Sequence, residues 1–367
     1  MTNTSARIVI AAGGTAGHMF PALALAQELR ARGRNVALMT DSRAADRARA
    51  LFPSAEIFVL PGAGLAGRGL LRGVVALFAL ARGMLAARRI FRAVPTCAVV
   101  GFGGYPSVPP LLAARSLTPR PILLLHEQNA VLGRANRFLA RRSDLLALSF
   151  AATQRIPAGA NTEVTGNPVR EEIAAHQGEH YDPPIAGPIR LLVLGGSLGA
   201  SVFSEIVPAA LALLHPDLRA RLVVTQQARA DSVEAVRAFY REAKIEAEIA
   251  PFFADVAPLI AAAHLVISRS GASAVAELAA IGRPALLVPL PGAIDDHQTE
   301  NCRPLVQQHG AIWMPQPMFT VPLLAQVLGQ FLAEPARLAG MADAIHRLAR
   351  PHAAEDLADL VEARIAA

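Results

Sequence analysis

One pattern constrains the fold more than any other, because it occurs twice. Residues 7–17 (RIVIAAGGTAG) and residues 190–199 (RLLVLGGSLG) each run from an apolar stretch into a glycine-rich loop, and a helical segment follows both. A strand, a nearly side-chain-free turn and a helix in that order form the opening of a βαβ unit. Its recurrence predicts two similar α/β halves in tandem. The length of 367 residues and a hydrophobic content of 53% suffice for two cores.

Further apolar runs extend each half. In the first, residues 35–40, 98–100, 122–125 and 145–148 read as strands separated by helical lengths. In the second, residues 221–225, 247–249, 265–268, 285–288 and 311–314 do the same. Strand and helix alternating in this way predict parallel, helix-covered sheets. Residues 171–188, with His176, Gly178, Pro183, Pro184, Gly187 and Pro188, are too polar and proline-rich for an element interior, which places the linker there. The last segment, residues 352–367, has Leu357, Leu360, Val361 and Ile365 at helical spacing and predicts a surface helix packed on one face. The expected domains are residues 1–168 plus 348–367, and residues 169–347.

Charge and cysteine usage narrow the function classes. The net charge of +6 is carried by arginine, Lys244 being the only lysine. Residues 57–126 contain eight arginines and no acid, so this half should attract anions. Aromatic residues make up 5% of the chain and do not alternate with the arginines, which speaks against a nucleic-acid platform and favours an anionic lipid surface. Residues 70–91 are apolar but broken by Arg72, Arg82, Arg88 and Arg89, so no run approaches the roughly 20 apolar residues of a membrane span. Wound as a helix, the segment would set Arg68, Arg72, Arg82 and Arg89 within an arc of roughly 100°, with Leu77 and Phe78 among its apolar residues. A membrane-surface helix and a core helix with extended arginines are the two readings. Cys97 and Cys302 stand far apart, which fits a reducing, cytosolic setting, and the first residues do not read as a signal peptide.

Several strings fall where strands end. GGTAGH (13–18), GFGGYPS (101–107) and GGSLGA (195–200) are loops whose backbone N–H groups could approach phosphate oxygens, or simply tight turns. HEQN (126–129) sets four polar side chains at the carboxyl end of a strand, where open α/β sheets build their sites. SRSGASAVAE (268–277) leads from a strand into a helix whose start, with Ser270, Gly271, Ala272 and Ser273, could receive phosphate or sugar hydroxyls, while Glu277 could clasp a ribose diol. DDHQTEN (295–301) places His297, Gln298 and Asn301 near the same edge.

Three other chemistries share these residues. Asp41 ends the second strand at the offset of a ribose-binding acid in NAD enzymes, although Ala12 stands where the first fingerprint glycine belongs. Residues 195–199 spell G-x-S-x-G, with Asp295 and His297 following in triad order, but Ser197 comes after the first strand of its domain rather than midway along a sheet. HQGEH (176–180) spells a zinc pattern that needs one helix, which Gly178, Pro183 and Pro184 oppose.

Together with GNPVR (166–170), the ordered series GGTAGH, GFGGYPS, HEQN, GNPVR, GGSLGA, SRSGASAVAE and DDHQTEN resembles the inverting glycosyltransferases of GT-B fold, in particular the branch that completes the lipid-linked peptidoglycan precursor. Ala16 departs from the glycine common in the first loop, and His297 from a glutamine found in some members. The resemblance implies two Rossmann-like domains facing across a deep cleft. It implies transfer of N-acetylglucosamine from UDP-GlcNAc to the C4 hydroxyl of undecaprenyl-pyrophosphoryl-MurNAc-pentapeptide (lipid I), giving lipid II, at the cytoplasmic face of the membrane by a peripheral enzyme. The donor set it implies is Thr15, Ala16, Gly17, Asn129, Arg170, Ser197, Phe253, Ala272, Ser273, Ala274, Val275, Ala276, Glu277 and Gln298. The acceptor and diphosphate set is Gly14, Gly103, Gly104, Tyr105, His126 and Asn136. Inversion in a single displacement requires a base. His18 is the first candidate, with Glu127 as the second or as its orienting partner. No D-x-D pair stands at a strand end, so no metal or other cofactor is expected, and Arg170 with helix N-termini would support the leaving diphosphate.

Overall fold

The structure is a computed structural model and describes residues 6–61, 70–196 and 199–367. The chain divides into two compact units, Met1–Arg170 with His352–Ala367, and Glu171–Pro351.

The first unit holds a seven-stranded sheet of β1 (Arg7–Ala11), β2 (Val36–Asp41), β3 (Glu56–Leu60), β4 (Thr96–Gly101), β5 (Ile122–Glu127), β6 (Leu145–Leu148) and β7 (Thr162–Val164). The strands lie in the order β3-β2-β1-β4-β5-β6-β7 and every pairing is parallel. The second unit holds β8 (Ile189–Leu194), β9 (Leu222–Gln227), β10 (Glu246–Ala250), β11 (Leu265–Ser268), β12 (Ala285–Leu287) and β13 (Ala311–Trp313). Their order is β10-β9-β8-β11-β12-β13, again wholly parallel. Parallel strands need helical crossovers that cover both faces, which is why central strands such as VALMTD (β2) and LLAL (β6) are buried at every residue.

Strand order reverses between β1 and β4 in the first unit and between β8 and β11 in the second. Open α/β sheets bind ligands in the crevice beyond the strand ends at such a reversal. The loops leaving β1 and β4 are GGTAGH and GFGGYPS, and those leaving β8 and β11 are GGSLGA and SRSGAS. Both topologies therefore bring together motifs that stand far apart in sequence.

The sequence reading passes over β3 and β7, and these are the two edges of the first sheet. An edge strand has less to bury: all three residues of β7 are exposed, and only Leu60 of β3 is fully buried.

The helix Ala353–Ala366 returns to the first unit. Leu357, Ala358 and Val361 enter the same core as Leu25 and Leu29 of the helix Ala16–Ala31. Arg32 reaches Glu28, Asp359 and Glu362, and Arg34 also reaches Glu362, fixing the return at its rim.

Residues 171–188, read from sequence as a linker, belong to the second unit. The Arg283 guanidinium donates to the carbonyls of Glu179 and His180 at 3.3 Å and lies over the Tyr181 ring, whose hydroxyl donates to His264 O at 2.8 Å. The helix Glu171–Ala174 ends before His176, and that imidazole pairs with Glu179 at 2.7 Å. His176 and His180 therefore do not share a helix face.

Candidate active site

In the first unit the two glycine loops are pressed together. A Cβ on Gly13 would stand 2.9 Å from both Pro106 Cγ and Thr40 Oγ1, so only glycine allows this contact. Gly14, Gly103 and Gly104 have φ of +83°, +79° and +70°, a region that L side chains avoid. Thr15 caps the helix Ala16–Ala31 in extended backbone without a side-chain bond to it, and the first turn has no acid. The leading N–H groups, among them those of Ala16 and Gly17, lack intrahelical partners as at any helix start.

His18 stands in that first turn. Its Nδ1 lies 2.8 Å from Gln128 Oε1, and a Cβ on Gly104 would lie 3.4 Å from its Cδ2 and Nε2. The Nε2 edge of the imidazole therefore faces the second glycine loop. Tyr105 begins the short turn after that loop, and partial burial raises its phenol above the usual value.

The HEQN residues take four different roles. His126 is wholly buried, its Nε2 3.0 Å from Gly166 O and its ring 5.3 Å from that of Phe102. Burial pulls its imidazole down to about 4. No edge of the ring reaches solvent. Glu127 is buried too, and accepts four bonds: from Asn129 N and Nδ2 at 3.0 and 3.1 Å, from Gly133 N at 2.8 Å and from Asn136 Nδ2 at 2.9 Å. Its lone pairs are taken up in holding the loop after β5, and the residue bonded to His18 is Gln128. Asn136 Nδ2 also donates to His126 O at 3.1 Å, while its Oδ1 is buried without a hydrogen-bond partner among the described residues. Asn129 is half-buried, and Arg170 lies over the Phe20 ring at 4.3 Å.

The second unit carries the other set. A Cβ on Gly195 would fall 2.4 Å from Ala200 N, and Gly196 and Gly199 have φ of +83° and +71°, so GGSLGA turns as tightly as its glycines permit. Ser197 lies outside the described residues. Gly271 caps the helix Ala272–Ile281 with no side-chain bond. At this helix start the buried Oγ atoms of Ser270 and Ser273 have no hydrogen-bond partner among the described residues. Buried hydroxyls are normally satisfied, so the pair marks a place where a ligand can accept and donate. Ala272, Ala274, Val275 and Ala276 contribute backbone to the same two turns, and Glu277 stands one turn beyond Ser273, buried. Gln298 Oε1 accepts from Leu290 N at 2.9 Å, leaving its NH2 group to donate. Phe253 is half-buried in the loop after β10.

The rival chemistries lose their residues to structural roles. Asp41 is buried, accepting from Ala44 N at 3.1 Å and from the Arg43 guanidinium at 2.7 Å, so it closes a turn instead of meeting a ribose. Asp295 has φ of +56°, and His297 Nδ1 donates to Ile294 O at 2.8 Å. No group of three or more metal-ligating side chains occurs among the described residues.

Sequence reasoning missed the contribution of Gln128 and of Asn167, which is buried with neither amide atom hydrogen-bonded among the described residues. Both lie inside motifs, HEQN and GNPVR, and only the position of the motif at a strand end could have drawn attention to them.

Two Rossmann-type sheets, each with a glycine loop and a helix start at its strand reversal, define a two-domain α/β protein of nucleotide-binding type. Residues 8–147 match the glycosyltransferase family 28 N-terminal domain and residues 190–359 its C-terminal domain, and the chain belongs to glycosyltransferase family 28. It is 56% identical to the UDP-N-acetylglucosamine--N-acetylmuramyl-(pentapeptide) pyrophosphoryl-undecaprenol N-acetylglucosamine transferase of Granulibacter bethesdensis, over 97% of this chain and 93% of that one. The protein of the same description from Gluconobacter oxydans is 53% identical over 98% of both chains. The crystal structure of Acinetobacter baumannii MurG superposes with a TM-score of 0.79 at 31% identity, covering 98% of this chain and 99% of that one. Within family 28 these relatives place the chain in the MurG branch. A kitacinnamycin glycosyltransferase, at 16% identity and a TM-score of 0.70 over 98% of each chain, shares the fold.

Proposed function

We propose that this protein transfers N-acetylglucosamine from UDP-GlcNAc to the C4 hydroxyl of the N-acetylmuramoyl-pentapeptide of lipid I, with inversion, giving lipid II and UDP. The observation that carries the reading is His18, a histidine at a helix start whose Nε2 edge faces a glycine loop and whose other nitrogen is held by Gln128. The relatives supply the donor and acceptor, since they are named for transfer of N-acetylglucosamine from UDP-N-acetylglucosamine to N-acetylmuramyl-(pentapeptide) pyrophosphoryl-undecaprenol.

The chemistry is one displacement. His18 Nε2 takes the proton of the acceptor hydroxyl as its oxygen attacks the anomeric carbon from the face opposite the nucleotide. The bond from that carbon to the diphosphate breaks, and its electron pair leaves with UDP. The Ser270 and Ser273 hydroxyls, without a partner among the described residues, the N-terminus of the helix Ala272–Ile281 and the GGSLGA turn are the groups of the second unit suited to the donor diphosphate and sugar, with Glu277 on the ribose. Gly14, Gly103, Gly104 and Tyr105 are those of the first unit suited to the acceptor diphosphate. In this reading Arg170 and helix N-terminal amides neutralise the leaving group, and no metal is needed.

The membrane surface enters through the helix Leu70–Ala93. Phe78, Arg82, Leu85 and Arg89 are all exposed and recur at i, i+4, i+7 and i+11, one helix face, while Gly83, Ala87 and Phe91 are buried. Apolar side chains interleaved with arginines suit the boundary between acyl chains and anionic headgroups. No helix of the described residues is long and apolar enough to cross a membrane. Arg68 lies outside the described residues, as do the side chains of Arg72 and Leu77. A peripheral enzyme at the cytoplasmic face fits this surface.

The test is UDP release from UDP-GlcNAc with and without lipid I. Release only with lipid I, a β-linked product, indifference to a chelator, and a loss of about a hundredfold or more in kcat in His18→Gln are expected. Acceptor-independent release, or a His18→Gln enzyme with near-normal kcat, would overturn the assignment.

A further inference from the structure

A neutral imidazole can act as a base through only one of its two nitrogens, and which one is set by the partner of the other. For His18 the choice is dictated from the far end of a row of hydrogen bonds. Gly166 O can only accept, and His126 Nε2 lies 3.0 Å from it, so that nitrogen carries hydrogen. Buried completely, with its imidazole pulled down to about 4, His126 stays neutral, and its Nδ1 is a bare acceptor. Gln128 Nε2 lies 3.0 Å from that Nδ1 and 3.2 Å from His126 O. Both partners accept, so the amide must turn its NH2 group to them and its oxygen to the other side. That oxygen lies 2.8 Å from His18 Nδ1, and only an N–H can satisfy it.

We infer that Gln128 is a positioning residue which, held by His126 and Gly166, fixes His18 as the Nδ1–H tautomer and leaves the Nε2 lone pair beside Gly104 as the basic site. A free neutral histidine prefers the opposite tautomer, with hydrogen on Nε2, which would have nothing to offer an acceptor hydroxyl. The row therefore reverses the intrinsic preference of the ring. It also needs no change when the proton arrives, because the imidazolium keeps its Nδ1–H on Gln128 Oε1. The orienting group is a neutral amide, in contrast to the carboxylate of a Ser-His-Asp triad, so the role is tautomer selection without charge stabilisation. The adjacent carboxylate, Glu127, is occupied by its four N–H donors.

The inference rests on the reading of His18 as the base, and the experiment separates the two. Nitrogen-15 NMR of the histidine-labelled full chain, with the His18 signals identified by their loss in His18→Gln, reads the tautomer directly. Expected for the neutral ring in the unaltered protein are a pyrrole-type Nδ1 and a pyridine-type Nε2. In Gln128→Leu and Gln128→Met the signals should move toward the Nε2–H form, and kcat should fall on the order of a hundredfold with both KM values within about twofold. The melting temperature should drop because the buried His126 Nδ1 loses its donor, so turnover is compared well below it. A pyridine-type Nδ1 in the unaltered protein overturns the inference whatever the variants do, as does a folded Gln128→Met enzyme with normal kcat. If His18→Gln keeps its turnover while Nδ1 is pyrrole-type, the base reading fails and the tautomer assignment stands. If His18→Gln loses turnover and the unaltered protein shows Nε2–H, the base reading stands and the role of Gln128 fails.

Discussion

Asn136 Nδ2 lies 2.9 Å from Glu127 Oε2, joining the helix Arg134–Leu139 to the carboxyl end of β5 inside the core of the first unit. With Gly133 N on the same oxygen and both nitrogens of Asn129 on the other, the carboxylate is the staple of the loop that carries Gln128. Whichever way an amide were placed there, its NH2 group would face two N–H donors. Glu127→Gln is therefore expected to cost about 2–4 kcal/mol of stability. Urea unfolding should show this loss, while enzyme still folded keeps measurable turnover. Turnover lost as completely as in His18→Gln, at an unchanged unfolding midpoint, would return Glu127 to the role of base.

The hydroxyls of Ser270 and Ser273 should behave in the opposite way. With no partner among the described residues to lose, the double variant Ser270→Ala, Ser273→Ala should unfold within about 0.5 kcal/mol of the parent. Its affinity for UDP-GlcNAc, by calorimetric titration, should fall roughly tenfold, the loss of one or two hydrogen bonds to the ligand. Unchanged affinity would remove this helix start from the donor site.

Acid should destabilise the first unit before its carboxylates titrate. The unfolded chain protonates His126 at the ordinary value of 6.5, the folded one only at about 4. Between these values the unfolded state holds more protons, so stability rises with pH through the window and is lost as pH falls through it, by up to about 3 kcal/mol. His264, also pulled down to about 4 chiefly by burial, acts in the same direction in the second unit. The unfolding midpoint in urea should therefore decline steadily from about pH 7 to about pH 4.5. A flat midpoint across that range would mean that His126 is accessible to protons in the folded state.

The exposed face of the helix Leu70–Ala93 predicts how the protein meets lipid. Replacing Phe78 and Leu85 by serine, or Arg82 and Arg89 by glutamate, should weaken co-sedimentation with anionic vesicles on the order of tenfold or more. Turnover of a water-soluble acceptor analogue should be unaffected, because these side chains point away from the sheet. Vesicle binding that survives both pairs of changes would place the lipid surface elsewhere.

Much of this architecture is legible in the sequence because it rests on local rules. The recurrence of RIVIAAGGTAG as RLLVLGGSLG announces two βαβ openings, and central strands such as LLAL read clearly because burial on both faces demands unbroken apolar runs. The edge strand TEV, exposed at every residue, carries no such demand and leaves no signal. The sites are half legible for a similar reason. Glycine loops and helix starts are written in residue type, whereas HEQN looks like four equivalent polar residues at a strand end.

By itself the sequence determined the two-domain parallel α/β plan, the glycine turns at its strand ends and the family, since periodicity, positive φ and motif order are properties of short segments. Only the tertiary structure decided which member of HEQN packs against Phe102, which is stapled and which touches His18. Gln128 meets His18 across 110 residues of chain, and His126 meets Gly166 across 40. The lateral order of β1, β4, β5 and β6 sets these neighbours, and strand order is chosen by how whole sheets pack, which no short window of sequence contains.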